Sequence, residues 1–339
     1  NLQLRTALKI LKPISEFKAK KEDDLYYQIS KINWLNILSL NKSFSVTSTI
    51  NSKYFTHSNY VSLLTKDAIV DQFNKKIKKR PSVDVKNPDI NIYVHIADSR
   101  CTISLNSSGG SLHKRGYRSE KFAAPLNEVL AAGIIMLSNW NNKKHFINPM
   151  CGSGTMLIEG ALIAINRAPN IYRKNFNFQN WKNYDSNLFK EIKKELTKNE
   201  KSSNTILHGY DVSASAISIA EKHVKNMNLE NIIKVHGSDF FNTECLNNNS
   251  IVFINPPYGK RLNLQKDYYK EIGNTLKKYY NTSHAWIISS EMSEIKKIGL
   301  KPSKKIKLYN GSLECKLLQY ELYKGSRKFS KNLDTQVKM

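Results

Sequence analysis

From residue 124 onward, short apolar runs alternate with helical patterns, and this alternation limits the possible folds more than any other feature. The runs "IVFIN" (251–255) and "AWIISS" (285–290) are nearly all apolar, whereas "SASAISIAEKHVKNM" (213–227) has an apolar stripe at three- and four-residue spacing. Strands of this kind, separated by helices, form a mostly parallel sheet covered on both faces. Ligands of such α/β sheets bind beyond the carboxyl ends of the strands.

Residues 1–108 have a different pattern. "INIYVHIA" (90–97) and "CTISLN" (101–106) predict two paired strands around a tight turn, within a small α+β module. The stretch "SSGGSLHKRGYRSEK" (107–121) is polar and glycine-rich, as expected of an interdomain connection. We therefore predict two domains, residues 1–108 and 109–339. The first residue is Asn rather than Met, so we expect the N-terminal domain to begin upstream.

Charge is strongly unbalanced, with 53 Lys and Arg against 28 Asp and Glu and a formal net charge of +25. Such an excess favours a polyanionic partner, nucleic acid ahead of a membrane surface. The alternative is AT-biased codon usage, which enriches Asn, Ile and Lys without selection for charge.

The predicted connection combines cations with an aromatic ring. This mixture is suited to RNA phosphates and unstacked bases, whereas the alternative is a flexible solvated linker. The candidate RNA-binding residues are Lys114, Arg115, Tyr117 and Arg118.

Neither a metal site nor a membrane span is predicted. The four cysteines are scattered without a C-x-x-C pair, so neither zinc nor a disulfide framework is indicated. No apolar stretch approaches the roughly 20 residues that span a bilayer, and the N-terminal residues lack a signal-peptide pattern. These features favour a protein of the reducing cytoplasm.

"INPMCGSGT" (147–155) follows a short predicted strand and precedes a predicted helix. Its two glycines let the backbone approach a ligand, and the following helix offers free N–H groups. The turn is neither a Walker loop nor the G-x-G-x-x-G of dinucleotide folds, which disfavours a nucleoside triphosphate or a dinucleotide. The alternative is an ordinary tight turn. The candidate ligand-binding residues are Asn148, Pro149, Cys151, Gly152, Ser153, Gly154 and Thr155.

Two acids end the next predicted strands. Asp211 can accept hydrogen bonds from both hydroxyls of a ribose. Helix capping by Asp211 or Ser213 is an equal alternative. Asp239 can accept from an exocyclic adenine amine while Phe240 packs on the ring. The alternative for Asp239 is a plain strand-terminal turn.

"INPPYG" (254–259) ends a further strand with two prolines, which remove backbone donors and leave outward acceptors. Asn255 Oδ and the Pro256 carbonyl form a pair of acceptors, and Tyr258 supplies a flat face beside them. Two acceptors and a stacking surface match the NH₂ group of a nucleobase. Since this motif follows a glycine turn and two strand-end acids, we predict a catalytic role for its three residues.

Taken in order, "INPMCGSGT", "GYD", "SDF" and "NPPYG" resemble the nucleotide-loop, ribose, adenine and catalytic motifs of class I S-adenosylmethionine-dependent amino-methyltransferases. "LHKRGYR", "IEGALIAINRAP" and "NGSLECKL" extend the resemblance over nearly the whole chain. With these stretches included, the chain is similar to the THUMP-domain-bearing guanine-N2 RNA methyltransferases, particularly the family that acts on a 23S rRNA guanosine. Two positions depart from that family: Asn148 stands where it usually has Asp, and Lys260 where relatives often have Glu.

The resemblance implies a Rossmann-like class I methyltransferase domain preceded by a ferredoxin-like segment and a THUMP domain that docks RNA. It implies S-adenosylmethionine as cofactor, a guanosine N2 amine as methyl acceptor, and RNA, foremost ribosomal RNA, as partner. The NPPY motif alone does not separate guanine N2 from adenine N6. N6-adenine methylation of DNA or RNA and guanine-N2 methylation of tRNA therefore stay open, as does a non-catalytic RNA-binding factor for ribosome assembly.

Overall fold

The computed structural model describes residues 1–118, 126–242, 249–257 and 267–323, which divide into two compact units. The first unit comprises Asn1–Lys114 and Asn170–Glu195, and the second comprises Arg115–Pro169 and the chain from Leu196 onward. The predicted boundary after residue 108 lies close to the structural one after Lys114. The segment Asn170–Glu195 differs from expectation, because it groups with the first unit although the sequence assigns it to the second domain.

The first unit contains a four-stranded sheet in the order β1-β4-β3-β2. Its elements are β1 (Leu11–Lys18), α1 (Glu22–Lys31), α2 (Trp34–Ile37), β2 (Phe44–Asn51), α3 (Ser58–Ile77), β3 (Ile90–Ala97) and β4 (Arg100–Asn106). β2 and β3 are parallel, and the other two strand pairs are antiparallel. β3 and β4 form the predicted hairpin, which turns at Asp98 with φ +52°. Trp34, Phe44 and Phe73 fill the core of this unit.

The segment Asn170–Glu195 is attached to the first unit by polar contacts. It contains a 3₁₀ turn at Asn177–Asn180 and most of α6 (Ser186–Lys198). Asn180 Nδ2 donates to the Asp89 carbonyl at 3.1 Å, and Lys42 Nζ donates to Asn180 Oδ1 at 2.9 Å.

The second unit contains a seven-stranded sheet in the order β10-β11-β9-β8-β5-β6-β7. Its elements are α4 (Glu128–Leu137), β5 (His145–Asn148), α5 (Thr155–Ala164), β6 (Leu207–Asp211), α7 (Ala214–Asn226), β7 (Ile233–Gly237), β8 (Ser250–Ile254), α8 (Tyr268–Tyr279), β9 (His284–Ser289), β10 (Lys304–Asn310) and β11 (Leu313–Glu321). β9, β8, β5, β6 and β7 are mutually parallel, whereas β11 runs antiparallel to both β9 and β10. The mostly parallel sheet predicted from the apolar runs is confirmed.

Apolar side chains pack on both faces of this sheet. On one face the rings of Phe146 and Phe253, from neighbouring strands, pack at a tilt of 33° with 4.7 Å between centroids, under α4, α5 and α7. On the other face Ile254 and Tyr269 belong to a separate buried cluster with α8. The predicted stripe of α7 supplies Val224 to the first of these cores. No helix within the described ranges is long and apolar enough to cross a membrane.

Candidate active site

The carboxyl ends of β5, β6, β7 and β8 lie at one edge of the second sheet because these strands are parallel. β5 and β8 are neighbours at the point where the strand order reverses. The chain passes from β5 to β6 and β7 on one side and returns to β8 and β9 on the other. α/β sheets bind ligands at such switch points. The predicted cofactor-binding and catalytic residues that the structure describes lie at or just after these strand ends.

The glycine turn, residues 149–155, folds back onto β6. Cys151 N donates to the Tyr210 carbonyl at 2.9 Å, and Gly152 N donates to Asp211 Oδ2 at 2.8 Å. Gly154 has φ +79°, a left-handed conformation that disfavours any residue with a side chain. The turn leads directly into α5, so the unpaired N–H groups of that helix begin at the carboxyl edge.

Gly209, in the middle of β6, allows this close approach. A Cβ atom there would meet Leu157 Cδ1 and would lie 3.2 Å from Cys151 Sγ. The Leu157 side chain or the strand would then have to shift. Within the motif "GYD" (209–211) the sequence predicts a role only for Asp211, but a glycine between two strand residues is a known signal of close backbone approach.

Three predicted ligand-binding residues of the turn bury their side chains. Cys151, Ser153 and Thr155 are at most 7% exposed. Burial raises the pKa of the Cys151 thiol well above its usual range, so the thiol stays protonated. We therefore expect these three residues to contact a ligand through their backbone atoms.

Asp211 connects the glycine turn to the start of α7. Its Oδ2 accepts from Gly152 N, and its Oδ1 accepts from Ser213 N at 3.0 Å. Ser213 caps α7 by accepting from Ala216 N at 3.3 Å, so the capping role falls to Ser213. Asp211 is half-buried, and each carboxylate oxygen retains lone-pair capacity for a ligand hydroxyl.

Asp239 lies at the end of β7, followed by two aromatic residues. Its Oδ1 accepts from Phe241 N at 3.0 Å and its Oδ2 accepts from Asn242 Nδ2 at 2.8 Å. Phe240 is 2% exposed and packs inward, 5.7 Å from the Tyr280 ring centroid. The prediction that Phe240 stacks on a ligand ring is therefore wrong. The 3₁₀ turn that begins at Phe240 directs this ring into the core, and Phe241 is the half-buried aromatic residue.

Tyr268, the first residue of α8, brings another aromatic ring to this edge. It lies edge-on to Phe241, with 5.3 Å between centroids, and its hydroxyl donates to Met150 Sδ at 3.5 Å. Burial, with a smaller contribution from carboxylates that include Asp239, raises the pKa of Tyr268 well above its usual range. We call the half-buried side chains of Met150, Phe241 and Tyr268 the apolar wall. The sequence shows Tyr268 only as part of an amphipathic helix.

Asn148 ends β5 and Asn255 directly follows β8, and each has a buried amide oxygen with no hydrogen-bond partner among the residues that the structure describes. Asn148 Nδ2 donates to the Phe253 carbonyl at 2.7 Å, which fixes the amide. Pro256, directly after Asn255, is buried. An unpaired buried acceptor costs roughly 1–3 kcal/mol, so both oxygens are candidate acceptors for N–H groups of a ligand. The predicted catalytic residue Tyr258 lies outside the described residues.

The structure contradicts half of the predicted RNA-binding cluster. Arg115 and Tyr117 are each 1% exposed. Arg115 pairs with Glu159, and Tyr117 lies edge-on to the buried His223 at 5.7 Å between centroids. The prediction that these two residues contact RNA is therefore wrong, because partners distant in sequence bury them.

The other two members of the cluster differ from each other. Arg118 is 24% exposed and bonds to groups of its own unit, with Glu128 Oε1 2.9 Å from its Nε. Lys114 is exposed, so its contact with RNA stays a prediction.

The acceptors at this edge fit a nucleoside-containing cofactor that carries an amino group. Asp211 and Asp239 are half-buried carboxylates, and Asn148 Oδ1 is a buried acceptor in need of a donor. Within the described ranges, no three His, Cys, Asp or Glu side chains form a possible metal site.

The order of the strands, with antiparallel β11 between β9 and β10, defines the fold of a class I methyltransferase. Residues 115–319 match the family described as RMKL-like, methyltransferase domain, and residues 19–106 match the THUMP domain. The chain therefore belongs to the RMKL-like methyltransferase family, with an N-terminal THUMP domain. Both the fold class and the family resemblance predicted from the sequence are confirmed.

Relatives agree with this assignment. The chain is 34% identical to a putative RNA methyltransferase of Synechocystis sp., over 95% of this chain and 85% of that protein. It is 32% identical to the ribosomal RNA large subunit methyltransferase K/L of Vibrio parahaemolyticus, over 99% of this chain but 49% of that protein. The chain thus spans about half the length of the K/L relatives it matches.

A solved structure extends the likeness to three dimensions. A putative methyltransferase in complex with SAH is 30% identical to this chain and superimposes with a TM-score of 0.83. The match covers 96% of this chain and 87% of the other.

Proposed function

We propose that this chain is an S-adenosylmethionine-dependent RNA methyltransferase that methylates the exocyclic N2 amine of a guanosine, foremost in 23S ribosomal RNA. The observation that carries the proposal is the buried Oδ1 of Asn255, just after the strand next to β5, for which the described part of the chain offers no hydrogen-bond partner. The THUMP and RMKL-like domains support methyl transfer to RNA. The names of the K/L relatives support ribosomal RNA as the substrate class.

Different strand-end residues would bind different parts of the cofactor. Asp211 would accept from the ribose hydroxyls and Asp239 from the adenine amine, with the apolar wall beside the ring. Asn148 Oδ1 would accept from the ammonium group, without the charge that an aspartate would bring. When bound, S-adenosylmethionine supplies an electrophilic methyl group.

Asn255 and Pro256 would act on the target amine. An exocyclic amine is a weak nucleophile because its lone pair is delocalised into the ring, so the barrier is mainly one of alignment. Asn255 Oδ1 and the Pro256 carbonyl would accept the two amino hydrogens, favour a pyramidal nitrogen and direct its lone pair at the methyl group. Such positioning can contribute on the order of 7 kcal/mol or more. Tyr258 would hold the plane of the base.

The target base must be unpaired or flipped to reach these acceptors, at a cost of a few kcal/mol. Stacking and phosphate contacts offset this cost, and the net charge of +25 favours the phosphate contacts. The THUMP domain is the proposed source of RNA docking.

The proposal is tested with Asn255→Ala and, as a matched control, Asn231→Ala at an exposed position of the same unit. We expect Asn255→Ala to lower methyl transfer to unmodified ribosomal RNA by at least about 100-fold, in line with the loss of one preorganised hydrogen-bonding group. SAH affinity by calorimetry should stay within a few-fold of that of the unsubstituted protein. Wild-type turnover in Asn255→Ala would contradict the catalytic role.

The target atom is tested by mapping the modified nucleoside. The protein is incubated with labelled S-adenosylmethionine and, separately, unmodified ribosomal RNA, tRNA and DNA. N2-methylguanosine in 23S rRNA is the expected product. N6-methyladenine in any substrate, or N2-methylguanosine in tRNA alone, would contradict the proposed target but not the proposed methyltransferase activity.

A further inference from the structure

We propose that Arg118 is a positioning residue that holds the glycine turn in its ligand-binding shape through the side chain of Thr155. This inference rests on the proposed cofactor role of the glycine turn. It replaces RNA contact as the role of Arg118.

Arg118 makes two hydrogen bonds and one ion pair within the second unit. Its Nη2 donates to Thr155 Oγ1 at 3.0 Å and to the Leu126 carbonyl at 2.9 Å, while its Nε lies 2.9 Å from Glu128 Oε1. Thr155 is 4% exposed and directly follows Gly154, so its hydroxyl is buried at the junction of the turn and α5. The planar fork of one guanidinium thus fixes the last residue of the turn.

Tyr117, the residue before Arg118, is connected to the same turn through His223. Tyr117 packs edge-on against His223, and His223 Nδ1 lies at hydrogen-bond distance, 3.1 Å, from the Ser153 carbonyl. Asn226 Nδ2 donates to the Tyr117 carbonyl at 2.8 Å, which holds this residue against α7. Two consecutive residues therefore connect to Ser153 and Thr155, on either side of Gly154.

Arg115 fixes the helix that follows the turn. Its Nε and Nη2 donate to Glu159 Oε1 and Oε2 at 3.1 and 3.4 Å, and neither side chain is exposed. Buried ion pairs are a poor source of net stability, because desolvation offsets their attraction, but they do fix geometry. We define residues 115–118 as the brace of the glycine turn.

The glycine turn can bind a ligand only if the surrounding residues hold its backbone in an accurate position. Its backbone N–H groups can bind a ligand only where the loop geometry directs them, and a misplacement of about 1 Å far from the chemistry can lower activity about 100-fold. Loss of the Arg118–Thr155 contact should therefore weaken cofactor binding while the RNA-docking surface is unchanged.

The test compares Arg118→Gln and Thr155→Val, which each remove one partner, with Thr155→Ser, which keeps the hydroxyl. We expect SAH affinity by calorimetry to fall about 10-fold in each of the first two and to recover in Thr155→Ser. The double variant Arg118→Gln with Thr155→Val should lose no more than the larger single effect, because both changes break the same contact. Lys225→Gln removes an exposed cation of the same unit and should leave SAH affinity unchanged.

The kinetic signature separates positioning from general destabilisation. We expect the KM for S-adenosylmethionine to rise in Arg118→Gln while RNA affinity and the KM for RNA stay at wild-type values. SAH affinity within twofold of wild type in both Arg118→Gln and Thr155→Val would overturn the inference. If Arg118→Gln does not fold, Thr155→Val, which keeps the side-chain shape, decides alone. Loss of RNA affinity with normal SAH affinity in Arg118→Gln would restore the RNA-contact interpretation. Failure of the unsubstituted protein to bind SAH would instead contradict the proposed function.

Discussion

Arg115 and Glu159 form an ion pair in which neither side chain is exposed, with 3.1 Å between Nε and Oε1. Glu159 lies on the helix that the glycine turn opens, and Arg115 begins the brace. A charged pair at the centre of a domain makes each partner dependent on the other, because an unpaired buried charge is far more costly than the pair.

This dependence predicts the outcome of single and double substitutions. Arg115→Met removes the guanidinium that pairs with the buried Glu159 carboxylate, so we expect it to lower the free energy of unfolding by about 3–5 kcal/mol. The double variant Arg115→Met with Glu159→Leu should recover most of that loss, because it removes both charges. Urea unfolding monitored by circular dichroism measures these values. A single variant as stable as the unsubstituted protein would show that the ion pair is not formed.

Glu128 predicts a pH dependence of stability. Burial raises the pKa of its carboxyl from 4.5 to about 7, against the opposing effect of Arg118. Because the folded-state pKa lies above the unfolded one, the folded state binds the proton more tightly, and this stabilisation is lost as pH rises from about 4.5 to about 7. We expect Glu128→Gln, which stays neutral, to lack that loss.

The comparison is made by urea unfolding at pH 5 and pH 8. The stability of the unsubstituted protein relative to Glu128→Gln should fall by on the order of 1–3 kcal/mol over this range. Parallel pH profiles for the two proteins would contradict the assignment to Glu128. Arg115, Glu159 and Tyr117 also face this carboxyl and are the same in both proteins, so their effects cancel.

Gly209 predicts a steric effect on the glycine turn. In Gly209→Ala the added methyl group meets Leu157 and Cys151, so we expect a loss of about 1–3 kcal/mol in stability and weaker SAH binding. Gly237→Ala is the matched control, because a Cβ at that strand end would meet only the tip of Ile217, at 3.4 Å. Equal effects of the two substitutions on SAH affinity would exclude a specific role for Gly209.

The exposed lysines at the end of α3 are predicted to contact RNA phosphates. Lys75, Lys76 and Lys79 are exposed there, in the unit that carries the THUMP domain. Changing all three to Gln should weaken RNA binding and make its dependence on salt concentration less steep, because fewer counterions are released. SAH affinity should not change.

The matched control changes three exposed lysines of α6, Lys190, Lys194 and Lys198, to Gln. It removes the same charge, so it separates a docking surface from a general charge effect. If both triple variants lose RNA affinity equally, α3 has no specific role.

The sequence predicts the mostly parallel sheet, and it shows the glycine, acid and Asn-Pro-Pro motifs, because these signals are local. Apolar runs identify β8, and the glycines at 152 and 154 identify a turn that only small residues can form. Local signals do not extend to side-chain burial. Arg115 has the same appearance in a sequence whether it is solvated or paired, and its partner Glu159 follows only after forty-four residues.

The wrong prediction for Phe240, which is buried while the neighbouring Phe241 is half-buried, has a similar cause. Both rings are aromatic and adjacent, and the 3₁₀ turn at Phe240–Asn242, which decides which ring faces inward, has no strong sequence signal. The apolar wall combines residues from the glycine turn, the 3₁₀ turn after β7 and the start of α8, so Tyr268 and Met150 come together only in three dimensions.

Asn148 Oδ1 and Asn255 Oδ1 are buried and have no hydrogen-bond partner among the described residues, which lowers the free energy of unfolding of the ligand-free protein. We expect a shape-matched apolar replacement of Asn255 to raise the melting temperature while it abolishes the proposed methyl transfer. Each of these two oxygens costs stability that the N–H group of a bound ligand would recover.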